Sequence, residues 1–505
     1  MDVQDSGAVP PHPVRRVIIA GGGTAGWMAA AALSKLLGRV LDIRLVESEQ
    51  IGTIGVGEAT IPSLVTFHRL LGIDERSFMQ ASQGAIKLGI SFENWLDVGH
   101  RYIHSFGTTG KDHWSAGFQH FWHRGRERGL AGDYADYSVE SRAAHADRFA
   151  QVPGMTPNHA YHLDASRYGR FLRTMSEQHG VRRIEGKIAA VETDADGWIS
   201  ALRLEDGQLL EGDLFLDCTG MRALLIGQTL GVGFEDWSHW LFNDSAIAAQ
   251  TAAVGDAVPY TRAIAEESGW QWRIPLQHRV GNGIVYSSRY MSDEHARKQF
   301  EDSLQGDMLS TPWQIRFRPG RRHRAWHRNC VAIGLSGSFI EPLESTTIHL
   351  IQRGIVRLLQ CFPQVITQSD IDEYNAQVDA ELVHVRDFVI LHYALSNRRD
   401  TPYWRACAEM ELPGTLRHRI ALFHETGRVF HAPNELFAEN SWIQVMLGQG
   451  IMPRQHHPVA DLMGDVELRQ FLEGISRKAA QTVEQLPSHQ AWLEQYCPAE
   501  RTQST

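Results

Sequence analysis

The sequence predicts an α/β chain: a Rossmann dinucleotide-binding module with an added, mostly helical part. Three observations predict it. "VRRVIIAGGGTAGWMAAAALSKLLG" at 14–38 joins an apolar strand to an alanine-rich helix through a glycine turn. A second apolar run, "LDIRLVES" at 41–48, ends near Glu47, about 20 residues beyond that turn, as a dinucleotide fold requires. Far downstream, Ile348, Leu350, Ile351, Ile355, Leu358 and Leu359 recur at helical spacing.

The first strand is "RVIIA" at 16–20, and "GGGTAG" supplies Gly21-x-Gly23-x-x-Gly26. Gly21 permits the tight turn, and Gly23 lets backbone approach a pyrophosphate. Gly26 lets helix and strand pack closely. Thr24 and Ala25 open the helix, whose free N–H groups and positive dipole end suit phosphate, and Gly38 stops it. Glu47 stands where a ribose hydroxyl is read. A secretion signal is the competing reading, because Val17 to Ser34 carries no charge and Arg15-Arg16 precedes it. A signal has no use for the second strand, so the stretch reads as a cofactor cradle and the protein as cytoplasmic.

The motif does not separate NAD from FAD. Its N-terminal place favours FAD. "LEGDLFLDCTGMRALL" at 210–225 reads as a strand meeting Gly220, and "NCVAIGLSGSFIEPLEST" at 329–346 as one meeting Gly334 and Gly337. Flavin monooxygenases close over the flavin with such late segments, although ordinary strand ends fit the local pattern equally. The module is therefore read as flavin-monooxygenase-like, spanning 1–360 with a substrate-pocket insertion around 95–160. A mostly helical C-terminal part, 361–505, packs on it.

Within that frame, 63–100 reads as helical and 101–160 as irregular. Residues 161–180 read as a helix capped by Asp164 or Ser166. From 181 to 220 short strands alternate with turns at Asp196-Gly197 and Asp206-Gly207. Residues 268–290 read as a hairpin turning through Gly281-Asn282-Gly283.

Composition excludes several classes. A net charge of −10 makes a poor general nucleic-acid binder, and "RFRPGRRHRAWHR" at 316–328 reads as a solvated basic face. No segment is long and apolar enough to suggest a membrane span. Five scattered cysteines without C-x-x-C argue for a reducing compartment. His120 with His123, and His323 with His327, are spaced like ligand pairs, but neither has a third ligand nearby in sequence. No metal site is expected.

Three further stretches carry chemistry. In "GWQWRIPL" at 269–276, Trp270 and Trp272 share one strand face, as a tryptophan pair in a hairpin core would. In "GAIKLGISFENW" at 84–95, Lys87 lies among apolar residues. It is an ordinary surface lysine if it sits outside on a helix; buried, it is a strong donor with a lowered pKa. In "IEPLESTTIHLIQ" at 340–352, Ser345 or Thr346 caps a helix and Glu344 sits near its positive end. The same helix start can hold an anion.

Together these stretches resemble the flavin-dependent tryptophan halogenase family. The resemblance rests on "GGGTAGW" at 21–27, "GVGEATIPS" at 55–63 and "KLGISFENW" at 87–95. It also rests on Trp270, Trp272, Ile274 and Pro275, on "EPLEST" at 341–346 and on "RDFVILHYALSNRRDTPYW" at 386–404. It implies reduced FAD, a flavin hydroperoxide and a bound chloride or bromide oxidised to hypohalous acid. That oxidant travels to a separate pocket, where Lys87 directs it onto an aromatic carbon, as a hydrogen-bond donor or as a haloamine. Glu344 matches the family's acid, which orients the halogenating species or takes the ring proton. Thr346 and Thr347 match the halide site; many relatives carry glycine where Thr347 stands, which bears on halide preference. The 55–63 loop matches the strap between flavin and substrate, with Ala59 at the cofactor. His104 and Phe106 match positions lining the substrate pocket.

The resemblance further implies a separate NAD(P)H-dependent flavin reductase, a small aromatic substrate and a possible homodimer. "GRVFHAPNELFAENSWIQVMLGQG" at 427–450 lacks the tyrosine- and glutamate-bearing lid that grips a free amino acid, so an indole or another electron-rich aromatic is expected. Two rival readings share the module: a flavin-dependent aromatic hydroxylase, and a flavin- or nucleotide-binding protein without turnover.

Overall fold

The chain is described by a computed structural model over residues 13–51 and 58–499. Residues 55–57 of the strap lie outside the described residues. A six-stranded sheet forms around the Arg16–Ala20 strand. Its order is Trp326–His327, Cys330–Ala332, Leu214–Asp217, Arg16–Ala20, Asp42–Glu47 and Arg182–Glu185. All neighbours but the first pair run parallel. Parallel strands covered on both faces need uninterrupted apolar residues; Val17, Ile18, Ile19 and Ala20 are fully buried. The Thr24–Leu37 helix lies against this sheet with Gly26 to Ser34 buried. Residues 16–37 are thus an integral part of the sheet layer.

A second sheet of seven strands is antiparallel except where Thr261–Glu266 meets Gly89–Glu93. A small third sheet joins Glu58–Ala59 and Ala85–Lys87 to the two edges of Ala160–Leu163. One apolar core unites the second sheet with the C-terminal helices. It holds Trp270, Trp272 and Leu343 together with Phe388 and Leu391 of the Gln368–Ala394 helix, then Phe423, Trp442 and Leu472.

Three expectations are corrected. Residues 63–100 are helical only as far as Ser82; Ala85–Lys87 and Gly89–Glu93 are strands. Gln83 takes the left-handed conformation and ends the helix, after which Ile86, Leu88, Ile90 and Phe92 alternate with a period of two. Residues 101–160 are ordered: a strand Arg101–Ser105, helices Phe118–Glu127 and Val139–His145, and the start of Ala160–Leu163. The hairpin turns at Gln277-His278, closed by Leu276 N–H to the Arg279 carbonyl at 2.9 Å, and Gly281 to Gly283 lie within its second strand. Gly283 stands opposite Trp272, and a Cβ there would sit 2.1 Å from the indole ring. The glycine makes room for the ring instead of a turn. The arginines of 316–328 form a partly exposed face, with Arg316, Arg318 and Arg324 exposed, and they are also paired. Arg321 meets Glu235 and Asp379, Arg316 meets Asp293, and Arg322 donates to the Val232 and Ser336 carbonyls.

Other expectations hold. Asp164 caps the Ala165–Gln178 helix by accepting from Arg167 N–H at 3.0 Å. Trp270 and Trp272 pack with ring centroids 6.1 Å apart. The pair also has a polar end that the pattern did not show. Trp270 Nε1 donates to Glu341 Oε2 at 2.8 Å, where Asn243 Nδ2 and the Tyr393 hydroxyl donate too. Burial raises the pKa of Glu341 against those donors. Removing one donor from a buried carboxylate costs about 1–3 kcal/mol. Trp270→Phe keeps an aromatic ring but loses the donor and part of the buried ring volume, so thermal melting should fall by at least that equivalent; an unchanged melting curve would show that the contact does not hold the 341–346 segment.

Candidate functional site

The glycine turn is built to receive a dinucleotide. Gly21 has φ +108°, and a Cβ on it would lie 2.4 Å from the Cys218 carbonyl oxygen. A Cβ on Gly26 would lie 1.9 Å from the Gly21 oxygen, so helix and strand meet there at backbone distance. Nothing stands within 4 Å of the Cβ direction of Gly23, which faces open space at the helix start. Gly23 caps the Thr24–Leu37 helix without a side-chain bond, so its first N–H groups are not taken by a capping side chain. Glu47 ends the neighbouring strand; its Oε1 accepts from Arg183 Nε at 2.6 Å and its Oε2 faces Trp27 Nε1 at 3.4 Å. That arginine orients the carboxylate beside the turn.

The late glycine segment belongs to the same place. Gly334 has φ +78°, and a Cβ on it would lie 3.2 Å from the Cβ of Ala25 in the first helix. Cys330–Ala332 is two strands from Arg16–Ala20, so the carboxyl ends of the parallel strands and both glycine turns share one edge, where such sheets bind nucleotides. Gly334 and Gly337, with Thr347, Arg357 and Glu381, line a cavity of about 40 Å³ between that edge and the Thr347–Gln360 helix. The cradle that added Cβ atoms would fill, and the uncapped helix start, fit the pyrophosphate of FAD.

The second half of the site surrounds Lys87, which is 0% exposed at the end of Ala85–Lys87. Its ammonium group donates to the Thr60 carbonyl at 3.0 Å and to Ser345 Oγ at 2.7 Å, and lies 5.3 Å from the centroid of the Phe106 ring. Burial takes its pKa down from 10.5 to about 7, against the pull of nearby Glu344. Ala59 pairs with His162 in the same small sheet, so the strap runs from Ala59 directly into the carbonyl that holds the amine.

Glu344 closes a short turn, Pro342–Glu344, and is 1% exposed. His104 Nδ1 lies 3.0 Å from both its oxygens, and His392 Nε2 lies 2.9 Å from Oε1. Burial pushes its pKa up, but His104, with His392, outweighs that and holds the carboxylate at about 2. Ser345 follows in the left-handed region at φ +58°, a strained conformation for a side chain with a Cβ. The strain aims its hydroxyl at Lys87. Ser345 is therefore no helix cap. Thr346 takes the capping position of Thr347–Gln360 but makes no capping bond; its Oγ1 is buried without a partner among the described residues. Thr347 is half-buried at the first turn of that helix.

The structure thus brings together Lys87, Glu344, His104, Phe106, Thr346 and the end of the strap, while Gly21, Gly23, Thr24, Ala25, Gly26, Glu47, Gly334 and Gly337 gather at the sheet edge. Ser345, Thr60 and His392 were missed as members of the first group. A histidine within "FVILHYAL" at 388–395 was a readable signal for His392.

Stability should report the buried amine. The unfolded chain keeps the Lys87 proton up to about pH 10, whereas the folded chain releases it near 7. Between these values the unfolded state binds more protons, so this lysine destabilises the fold below pH 7 and ceases to do so towards 10.5. Lys87→Met should melt higher than the parent near pH 7, with the gap closing by pH 10.5; a gap independent of pH would place the amine in water.

The tryptophan halogenase family model matches residues 16–465. Tryptophan 7-halogenase RebH of Lentzea aerocolonigenes is 37% identical over 448 residues, covering 83% of each chain. Among solved structures, Xcc4156, a flavin-dependent halogenase from Xanthomonas campestris, is 66% identical over 97% of this chain and 100% of its own, with a TM-score of 0.96. BrvH, a flavin-dependent halogenase from Brevundimonas sp. BAL3, is 43% identical over 96% of this chain and 99% of its own, with a TM-score of 0.92. No helix among the described residues is long and apolar enough to cross a membrane. With its nucleotide cradle and its buried lysine, this chain belongs to the tryptophan halogenase family and is a flavin-dependent halogenase.

Proposed function

We propose that the chain places chlorine or bromine on an electron-rich carbon of an indole-type substrate, with Lys87 as the group that delivers the halogen. The observation that carries this reading is the amine itself: fully buried, held by the Thr60 carbonyl and Ser345, with a pKa near neutrality. Reduced FAD, supplied by a separate NAD(P)H-dependent reductase, would with oxygen oxidise the halide to hypohalous acid. A pKa of about 7 keeps a large share of Lys87 as neutral amine at working pH. Neutral amine and hypohalous acid give a haloamine and water; alternatively the ammonium form donates a hydrogen bond to the acid and polarises it. Transfer to the ring leaves a proton to be removed. Glu344, held ionised by His104 and His392, is the base suited to take it.

Thr346 supports the halide part of the reading: a buried, unpartnered hydroxyl at a helix start offers an anion a donor beside the positive dipole end. Phe106 and His104 would line the aromatic pocket, and Phe437 stacks on Phe388 near His104 with centroids 3.8 Å apart. The 427–450 segment favours an aromatic without an amino-acid head. Two acids flank Phe437 in sequence: Glu435 is buried and engaged by Arg419 and by Trp442 Nε1 at 2.8 Å, with no oxygen free of strong donors to grip an ammonium group, and Glu439 is exposed and accepts from His431 N–H at 3.3 Å. The relative named above as a tryptophan 7-halogenase leaves free tryptophan as the alternative.

The test is the purified chain with FAD, a flavin reductase, NADH, bromide or chloride, and a panel of indoles, phenols and tryptophan, read by mass. Halogen in place of hydrogen is expected, with indoles ahead of tryptophan. Lys87→Ala should abolish it while flavin affinity stays unchanged, and Glu344→Gln should slow it by about 10²–10⁴. A product that gains oxygen would favour the hydroxylase, and halogenation surviving in Lys87→Ala would remove the proposed role of the lysine.

A further inference from the structure

Away from this site, three side chains from distant parts of the sequence converge. His123 and Glu127 stand one turn apart on the Phe118–Glu127 helix and so share a face. His456 comes from the segment between the Glu439–Gly448 helix and the Pro458–Leu462 turn. One ligand atom from each lies within 4.8 Å of the others. Sequence spacing pointed to His120 instead, but its Nδ1 accepts from His457 N–H at 3.2 Å. The third participant, His456, arrives by folding, which spacing could not reveal.

The cluster has the marks of a ligand set rather than of a hydrogen-bonded patch. His456 Nε2 is 2.9 Å from Asp461 Oδ1, leaving Nδ1 for another partner. That Nδ1 is 3.3 Å from Glu127 Oε2 yet makes no hydrogen bond with it. His123 is 6% exposed, and its Nδ1 is buried without a partner among the described residues. The two rings face each other with centroids 6.0 Å apart. Arg124 on the same helix is held by Asp461 at 3.1 Å and Asp465 at 3.3 Å, so carboxylates balance its charge.

We infer that His123, Glu127 and His456 bind a divalent cation of the zinc class, with Asp461 orienting His456. Two imidazoles and one carboxylate, with water in the fourth position, are a zinc donor set, and imidazole nitrogens disfavour calcium and magnesium. The Asp461–His456 contact reproduces the carboxylate–histidine–metal arrangement that fixes a ligand's tautomer. Bonds of about 2.0–2.2 Å bring ligand atoms to roughly 3.4 Å from one another; His456 Nδ1 and Glu127 Oε2 already stand 3.3 Å apart, and the remaining atoms close from within 4.8 Å. The bound ion ties the 118–127 helix to the segment after the 439–448 helix, outside the Lys87 site.

Full-length protein without a histidine tag, stripped by chelator, is titrated with Zn²⁺ by calorimetry and with Co²⁺ by absorption. The parent should bind one equivalent more than Glu127→Ala or His456→Ala, and Asp461→Asn should weaken that equivalent about 10–100-fold. Zn²⁺ should raise the melting temperature of the parent and not of His456→Ala, and Co²⁺ should give tetrahedral absorption bands in the parent alone. Glu127 is exposed, so its variant reports even if the histidine variants misfold. Equal stoichiometry and affinity in parent and Glu127→Ala, or binding by the parent only at millimolar metal, would overturn the assignment.

Discussion

A lysine with no access to water must find every hydrogen bond inside the protein or lose its charge. Lys87 does both in part. It donates to one carbonyl and one hydroxyl, and desolvation still brings its pKa near neutrality. Much of the architecture serves that arrangement. The small third sheet exists to carry Lys87 and the strap on opposite edges of one strand. The left-handed backbone at Ser345 is strain retained because it aims a hydroxyl at the amine. The buried Glu341 carboxylate, gripped by Trp270, Asn243 and Tyr393, anchors the segment from which Glu344 and Ser345 project. The family's tryptophan motif and its acidic motif are thus two ends of one hydrogen bond.

The flavin cradle and the lysine pocket lie on different sheets, and two segments link them. Ala59 and Thr60 bring the strap to the amine. Residues 330–347 begin in the parallel sheet, pass Ala25 at Gly334 and end at Glu344, Thr346 and the helix that follows. The proposed passage of an oxidant from one end to the other requires both ends to be held in fixed relation, and residues 330–347 hold them.

What could be read in the sequence follows from how local each feature is. The strand–glycine–helix–strand unit is written in consecutive residues and appears as expected. Lys87 and Glu344 were recognisable by resemblance, but the contacts that define their chemistry are long range: Lys87 and Ser345 are 258 positions apart. His392, a histidine in the apolar run 388–395 of the Gln368–Ala394 helix, was legible as a buried polar residue, but its partner Glu344 was not. The alternation of Ile86, Leu88, Ile90 and Phe92 was legible and was masked by the helical residues before it. Gly-Asn-Gly at 281–283 is a genuine turn signal defeated by packing, since the space left by Gly283 is filled by Trp272. The His123, Glu127 and His456 cluster lies beyond any spacing rule, because His456 comes from the other end of the chain.

The most direct measurement is the ionisation of Lys87 itself. Its side-chain carbon resonance, in protein labelled with ¹³C-lysine and assigned by its absence from Lys87→Met, can be followed against pH. A midpoint near 7 is expected from a desolvated amine poised between neutral and charged forms. A midpoint near that of a free lysine, about 10.4, would mean that the amine is solvated and the account of the site is wrong.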